Sequence, residues 1–198
     1  MTLTKNIAVA GFAALVLGAC TAAPTGPQTV DLGQVLDRTE MAINGFQSYA
    51  EQEGVEELSN ADMQTFRSFL GGVYNSEPRF YDRPMGVSLE EDGSFLGFVD
   101  ANMNDVQDAG EDDLFTVEID AENERLIATD MAGQSSGLRF SSGGFLTGLI
   151  VGRMLSRQSS AGIARGSFNN RTVTPRSSYR APASARSRVR SGGVRSGK

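Results

Sequence analysis

Every acidic residue of the chain lies before residue 131. Residues 21–150 carry all 24 Asp and Glu with 6 Arg, a net charge of −18, whereas residues 151–198 carry no acid, ten Arg and Lys198, a net of +11. The overall charge of −6 therefore describes neither part; the electrostatic object is an acidic body with a basic tail. Beyond residue 158 the sequence is Ser, Arg, Gly and Pro with scattered apolar side chains. Such a stretch buries too little surface to offset the entropy lost on ordering, so a disordered tail is expected over 159–198. That leaves roughly 110–130 residues for one modest core. Histidine is absent, which excludes an imidazole base, an imidazole metal ligand and a histidine pH switch.

The N-terminus has the layout of an export signal. Lys5 precedes an apolar run from Ile7 to Leu17, too short to span a bilayer, which needs about 20 residues, but suited to a signal peptide. It ends in Leu17-Gly18-Ala19-Cys20, and Cys20 is the one cysteine of the chain. This segment resembles the lipobox of bacterial lipoproteins: an aliphatic residue, two small ones, then cysteine. The resemblance implies cleavage before Cys20 and transfer of a diacylglycerol to its sulfur. It also implies a lipid-anchored protein of the outer membrane facing the periplasm, because Ala22 stands where an aspartate would signal inner-membrane retention. Residues 1–19 are then the signal, and 20–30 a lipidated tether.

A small α+β domain is expected over 31–132. Leu32, Val35, Leu36, Ile43, Phe46 and Ala50 recur at helical spacing, which predicts an amphipathic helix over 32–51 weakened by Gly45. Ser59-Asn60-Ala61-Asp62 reads as the cap of a second helix with the stripe Met63, Phe66, Leu70 and Val73, closed by Gly71-Gly72. The pattern then changes to period two. Residues 87–91 and 94–99 flank Asp92-Gly93, a hairpin signal, and 115–119 and 125–129 flank a turn at 121–123. The predicted fold is two N-terminal helices packed on one face of a four-stranded antiparallel sheet, followed by a short Gly-rich helix within 133–158 and the basic tail. Tyr74, Phe80 and Tyr81 read as a structural aromatic cluster.

The second and third predicted strands are joined by Asp100–Asp113, a connection long enough to suggest a function. Its sequence, DANMNDVQDAGE, matches a twelve-residue calcium loop. Asp100, Asn102, Asn104, Asp108 and Glu111 take positions 1, 3, 5, 9 and 12, and Val106 offers its carbonyl at position 7. Calcium takes six to eight hard oxygens, and alternating short oxygen side chains wrap one ion. Position 6, ordinarily glycine, is Asp105. Asp and Asn are the next-best residues for the left-handed turn required there. The segment resembles the D-x-N-x-N-G-V-x-D-x-G-E loops of bacterial surface proteins such as B-type repeats and other EF-hand-like modules. That resemblance covers twelve residues and implies Ca2+ as the bound ion. The flanks read as strands, so the helix pair of an EF-hand is not expected, and a plain acidic turn is the competing reading.

Gly144, Gly148 and Gly152 stand four apart in an apolar island that ends at Arg153 and Arg157. On a helix they form one smooth strip, the small-xxx-small pattern, and they resemble the glycine zipper of outer-membrane lipoproteins. The layout of island and tail is weakly similar to that of YgiB-type lipoproteins. Three readings stay open: the island lies in the membrane interface, pairs with another copy, or packs on the domain. The basic tail suits anionic lipid head groups, an envelope protein or the acidic body of its own chain, or is a solvated linker; nucleic acid is not an expected partner. Gly133-Gln134-Ser135-Ser136-Gly137 matches the nucleophile-elbow pattern, but the elbow needs a histidine base. The expectation is a non-enzymatic envelope lipoprotein with a structural calcium loop. The alternative is a periplasmic binding module for a soluble partner or ligand.

Overall fold

The structure, a computed structural model, describes residues 29–140 and 148–186. Helix α1 (Leu32–Gln52) starts at Asp31, whose side chain accepts hydrogen bonds from the backbone N–H groups of Gly33 and Gln34. It turns Leu32, Val35, Leu36, Ala42, Ile43 and Phe46 inward. Helix α2 (Asn60–Tyr74) starts with the expected capping box, in which Ser59 and Asp62 each accept the other's backbone N–H. Gly71-Gly72 does not end it. The helix runs on to Tyr74, and Arg38 reaches across from α1 to the carbonyls of Val73 (2.7 Å), Tyr74 (3.3 Å) and Ser76 (2.8 Å). Arg38 Nη1 thereby caps the C-terminal end of α2, where the last carbonyls have no partner within the helix; Val73 O also accepts from Ser76 N and Oγ. Tyr74, Phe80 and Tyr81 are buried, so the aromatic cluster is core.

The expected four-stranded antiparallel sheet is overturned. Six strands form one mixed sheet in the order β1-β2-β3-β4-β5-β6: β1 (Met85–Leu89), β2 (Phe95–Val99), β3 (Asp113–Asp120), β4 (Arg125–Asp130), β5 (Ser135–Arg139) and β6 (Thr174–Pro175). The first five are antiparallel and β6 runs parallel to β5. One face meets the helices through Phe95, Phe115, Val117, Ile119, Leu126 and Ala128. Phe66 of α2 meets Phe95 at 5.6 Å, and Tyr74 meets Phe115 edge-on at 5.4 Å between ring centroids. Gly97 is required here: a Cβ on it would stand 2.3 Å from the Phe115 ring. The outer edge of β1 is closed by Asn75, which accepts from Met85 N (2.9 Å) and donates to Met85 O (2.7 Å). That arrangement occupies one end of an edge otherwise free to pair with other strands.

The expected disordered tail is overturned for 159–186. Helix α3 (Leu149–Ser160) buries Ile150, Val151 and Met154 in the core, and its Gln158 donates to the carbonyl of Ile119 (3.1 Å). The chain then passes a 3-10 turn (Arg165–Phe168) with Phe168 buried, and Arg171 forms an ion pair with Glu118 on β3. Next, Val173 lies against Gly137 and β6 joins the sheet edge. Arg176 binds Asp37 of α1 (Nε–Oδ1 2.8 Å), and Tyr179, 6% exposed, accepts a hydrogen bond from Leu32 N (3.3 Å). Finally, Thr29 and Ser184 pair through their hydroxyls at 2.8 Å. The scattered apolar residues of the tail act singly, each docking on a different part of the sheet-and-helix body. Residues 187–198 lie outside the described residues.

Candidate functional site

The β2–β3 connection places the oxygen-bearing residues of the candidate loop on one another. Asp100, only 3% exposed, extends β2, and its N–H donates to the carbonyl of Pro84 (3.0 Å). Its two carboxylate oxygens accept from the backbone N–H groups of Asn104 (3.0 Å) and Asp105 (2.9 Å). Asn102 Oδ1 accepts from Asn104 N, and Asn104 Oδ1 from Val106 N (2.8 Å). The amide groups of Asn102 and Asn104 donate to the same Asp108 oxygen, at 2.7 and 2.9 Å. Glu111 folds back over the loop and accepts from Ala101 N (2.8 Å) and Asp108 N (2.9 Å), one with each oxygen. The chain turns through left-handed backbone at Met103 (φ 57°), Asp105 (φ 58°) and Gly110 (φ 96°). Asp105 thus adopts the conformation its loop position demands, one that a short polar side chain tolerates.

Two arginines that the sequence did not single out fix the loop to the fold. Arg67 on α2 donates to the carbonyl of Asp105 (2.8 Å), and Arg83 pairs with Asp112 (3.4 Å) while bonding the Tyr81 hydroxyl (3.0 Å). No local motif marks them, since each acts across a tertiary contact. The residues fit a divalent cation in one respect above all. Among the described residues, the buried carboxylate of Asp100 meets backbone N–H donors and no cationic side chain. A carboxylate oxygen or an amide oxygen that accepts one N–H keeps a lone pair for a metal. The described residues hold no group of three or more His, Cys, Asp or Glu placed to bind a metal together. A calcium ion here would draw on Asn102, Asn104 and the Val106 carbonyl besides the carboxylates.

The other singled-out residues are scattered. Cys20, the signal and Gly144 lie outside the described residues. Gly148 is the N-cap of α3, and Gly152 is exposed, with no heavy atom within 4 Å of where its Cβ would stand. Gly148 and Gly152 line a groove with Glu56, Glu57 and Leu58, while Ile150, Val151 and Met154 of α3 pack on the domain. Arg153 and Arg157 both donate to the side-chain carbonyl of Asn60 (2.9 and 3.0 Å). No described helix is long and apolar enough to cross a membrane. The Gly133–Gly137 motif falls in the β4–β5 hairpin, where Ser135 bonds Thr129 through their hydroxyls (2.9 Å). A nucleophile elbow is a strand-to-helix turn, and this segment is strand to strand. Comparison with known protein families, with curated proteins and with solved structures finds no match.

Proposed function

We propose that the chain is a non-enzymatic envelope lipoprotein, anchored through Cys20 to the periplasmic face of the outer membrane, with a domain stiffened by one calcium ion in the Asp100–Glu111 loop. The observation that carries the calcium part is the closed set of bonds among Asp100, Asn102, Asn104, Asp108 and Glu111, with Asp105 in left-handed backbone. The lipid part rests on the Leu17–Cys20 segment. The ion joins the ends of β2 and β3 and offsets the charge of three carboxylates, and its role is constitutive. Three carboxylates correspond to an affinity of about 10⁻⁵–10⁻³ M. Arg171 is held by Glu118, so contact with anionic lipid or an envelope protein falls to the other arginines of the tail.

Thermal melting in calcium against chelator tests the loop. Calcium tenfold above its Kd stabilises by about 1.4 kcal/mol, a shift of several degrees. Magnesium does less, since it demands tight octahedral geometry. Glu111→Gln abolishes most of the shift, and Asp105→Gly preserves or enlarges it. Identical melting in millimolar calcium and in chelator, with no heat of binding, leaves only an acidic turn. For the anchor, Cys20→Ser abolishes incorporation of a labelled lipid precursor; equal labelling of the variant removes the lipoprotein reading.

A further inference from the structure

The register of β4 and β5 sets Arg125 directly opposite Arg139. Like charges directly opposite on antiparallel strands repel and destabilise the pair. Arg125 has a counter-charge: its Nε donates to Asp120 Oδ2 at 2.8 Å. Arg139 has none. Its side chain makes no hydrogen bond or ion pair among the described residues, and every Asp and Glu of the chain lies between Asp31 and Asp130. No side-chain carboxylate outside the described residues therefore exists to pair it. Beyond β5, the strand β6 brings in a third guanidinium, Arg176, which uses Nε and Nη2 on Asp37 and Gly33 and leaves Nη1 without a partner among the described residues. The three arginines line one cavity of about 380 Å³, with Gly137, Leu138, Val173, Pro175 and Ser177 forming the rest of its wall. That volume falls within the range of small-molecule sites, about 300–1,000 Å³.

We propose that the cavity between β4, β5 and β6 binds the phosphate group of an organic phosphate, held by Arg125, Arg139 and Arg176 with the organic part against Leu138, Val173 and Pro175. Guanidinium groups offer paired N–H donors that match phosphate oxygens, and three of them around one space suit a tetrahedral anion with more oxygens than a carboxylate. Asp120 and Asp37 neutralise two of the three arginines from behind and leave Arg139 as the uncompensated charge. The bound anion also removes the repulsion between Arg125 and Arg139. The phosphate comes either from a lipid head group or from a soluble phosphorylated molecule. This inference is independent of the calcium loop and of the lipid anchor, so the assay is run in chelator.

The test uses the full chain with two probes, glycerol 3-phosphate in solution and vesicles of phosphatidylglycerol, with phosphatidylcholine vesicles as the baseline. Arg139→Ala is expected to melt slightly above the unsubstituted chain without phosphate, because the like-charge pair is gone, and below it when phosphate is present. Arg139→Glu is expected to weaken binding by tenfold or more, the loss of one charge-assisted contact. Binding of glycerol 3-phosphate that depends on Arg139 identifies a soluble ligand. Arg139-dependent binding to phosphatidylglycerol vesicles alone identifies a head group. If neither probe distinguishes Arg139→Glu from the unsubstituted chain, or if Arg139→Ala lacks the crossover in melting, the cavity is not a phosphate site.

Discussion

Asp120 shows how much can hang on one side chain at the end of a strand. It closes β3, its side chain is fully buried, and it faces Arg125 across the sheet. Burial alone pushes its carboxyl up. The hydrogen bonds from the Asn123 amide and backbone, together with the Arg125 guanidinium, outweigh that and hold the group below the usual carboxylate range. A carboxyl with a depressed native pKa adds stability above its unfolded value, near 3.8, and that stability is lost as pH falls through the native value. Asp120→Asn is therefore expected to destabilise by about 2 kcal/mol at pH 7, the scale of a hydrogen bond to a charged group. The gap closes as pH drops below 3.8. Denaturant unfolding of both chains from pH 7 to pH 2 measures it, and a pH-independent gap means that shape, not charge, is what Asp120 supplies. Losing Asp120 would also leave Arg125 and Arg139 opposed with no counter-charge between them.

At the level of elements, the parts legible in the sequence are those whose signal is local. Helix α1 and the Ser59 cap of α2 follow from residues within a few positions of one another. The β1–β2 hairpin forms where the dipeptide marks it, but not as a two-residue turn: Glu90 N donates to Ser94 O (2.9 Å), the loop runs through Glu91, Asp92 and Gly93, and of these Gly93 takes the left-handed backbone (φ 79°). The calcium-loop candidate is legible for the same reason, because its oxygens are consecutive. Strand β5 escapes, since Ser135-Ser136-Gly137-Leu138-Arg139 lacks β-branched and aromatic residues, and Gly137 is needed where a Cβ would meet Val173 at 2.6 Å. The arginine cavity escapes with it, being built from three strands of which β6 (Thr174–Pro175) lies far downstream of β4 and β5. The tail escapes because Phe168, Val173 and Tyr179 follow no period: each is matched to a separate hollow on the sheet-and-helix body. Tyr179→Ala, which empties one such hollow, is expected to cost about 3 kcal/mol, on the order of 10 °C in melting temperature. Deleting residues 161–198 should cost more. A deletion that leaves the transition unchanged would show these contacts to be energetically idle.

For the whole molecule, the charge split becomes a packing principle. The body over 21–150, at −18, repels itself, and the acid-free chain from 151 onward is drawn across it by ion pairs at Glu118 and Asp37. The described tail crosses both faces of the sheet and closes next to the start of α1, where Thr29 meets Ser184. Salt acts on this arrangement in two opposed directions. It relieves repulsion within the body, which stabilises, and it weakens attraction between body and tail, which destabilises. Raising sodium chloride from 10 mM to 1 M shortens the screening length from about 30 to about 3 Å. The tail arginines lie close to their partners, and those pairs are partly exposed, so they feel the change directly. With both pairs intact, loss of attraction should dominate, and the melting temperature of the full chain should fall with salt. In the double variant Arg171→Gln with Arg176→Gln the attraction is already reduced, so relief of self-repulsion dominates and the melting temperature should rise. The informative quantity is the difference in slope between the two chains, measured in chelator to hold the calcium loop constant. Parallel slopes would mean that the tail is held by its apolar side chains alone, and that the charge asymmetry has some purpose other than folding.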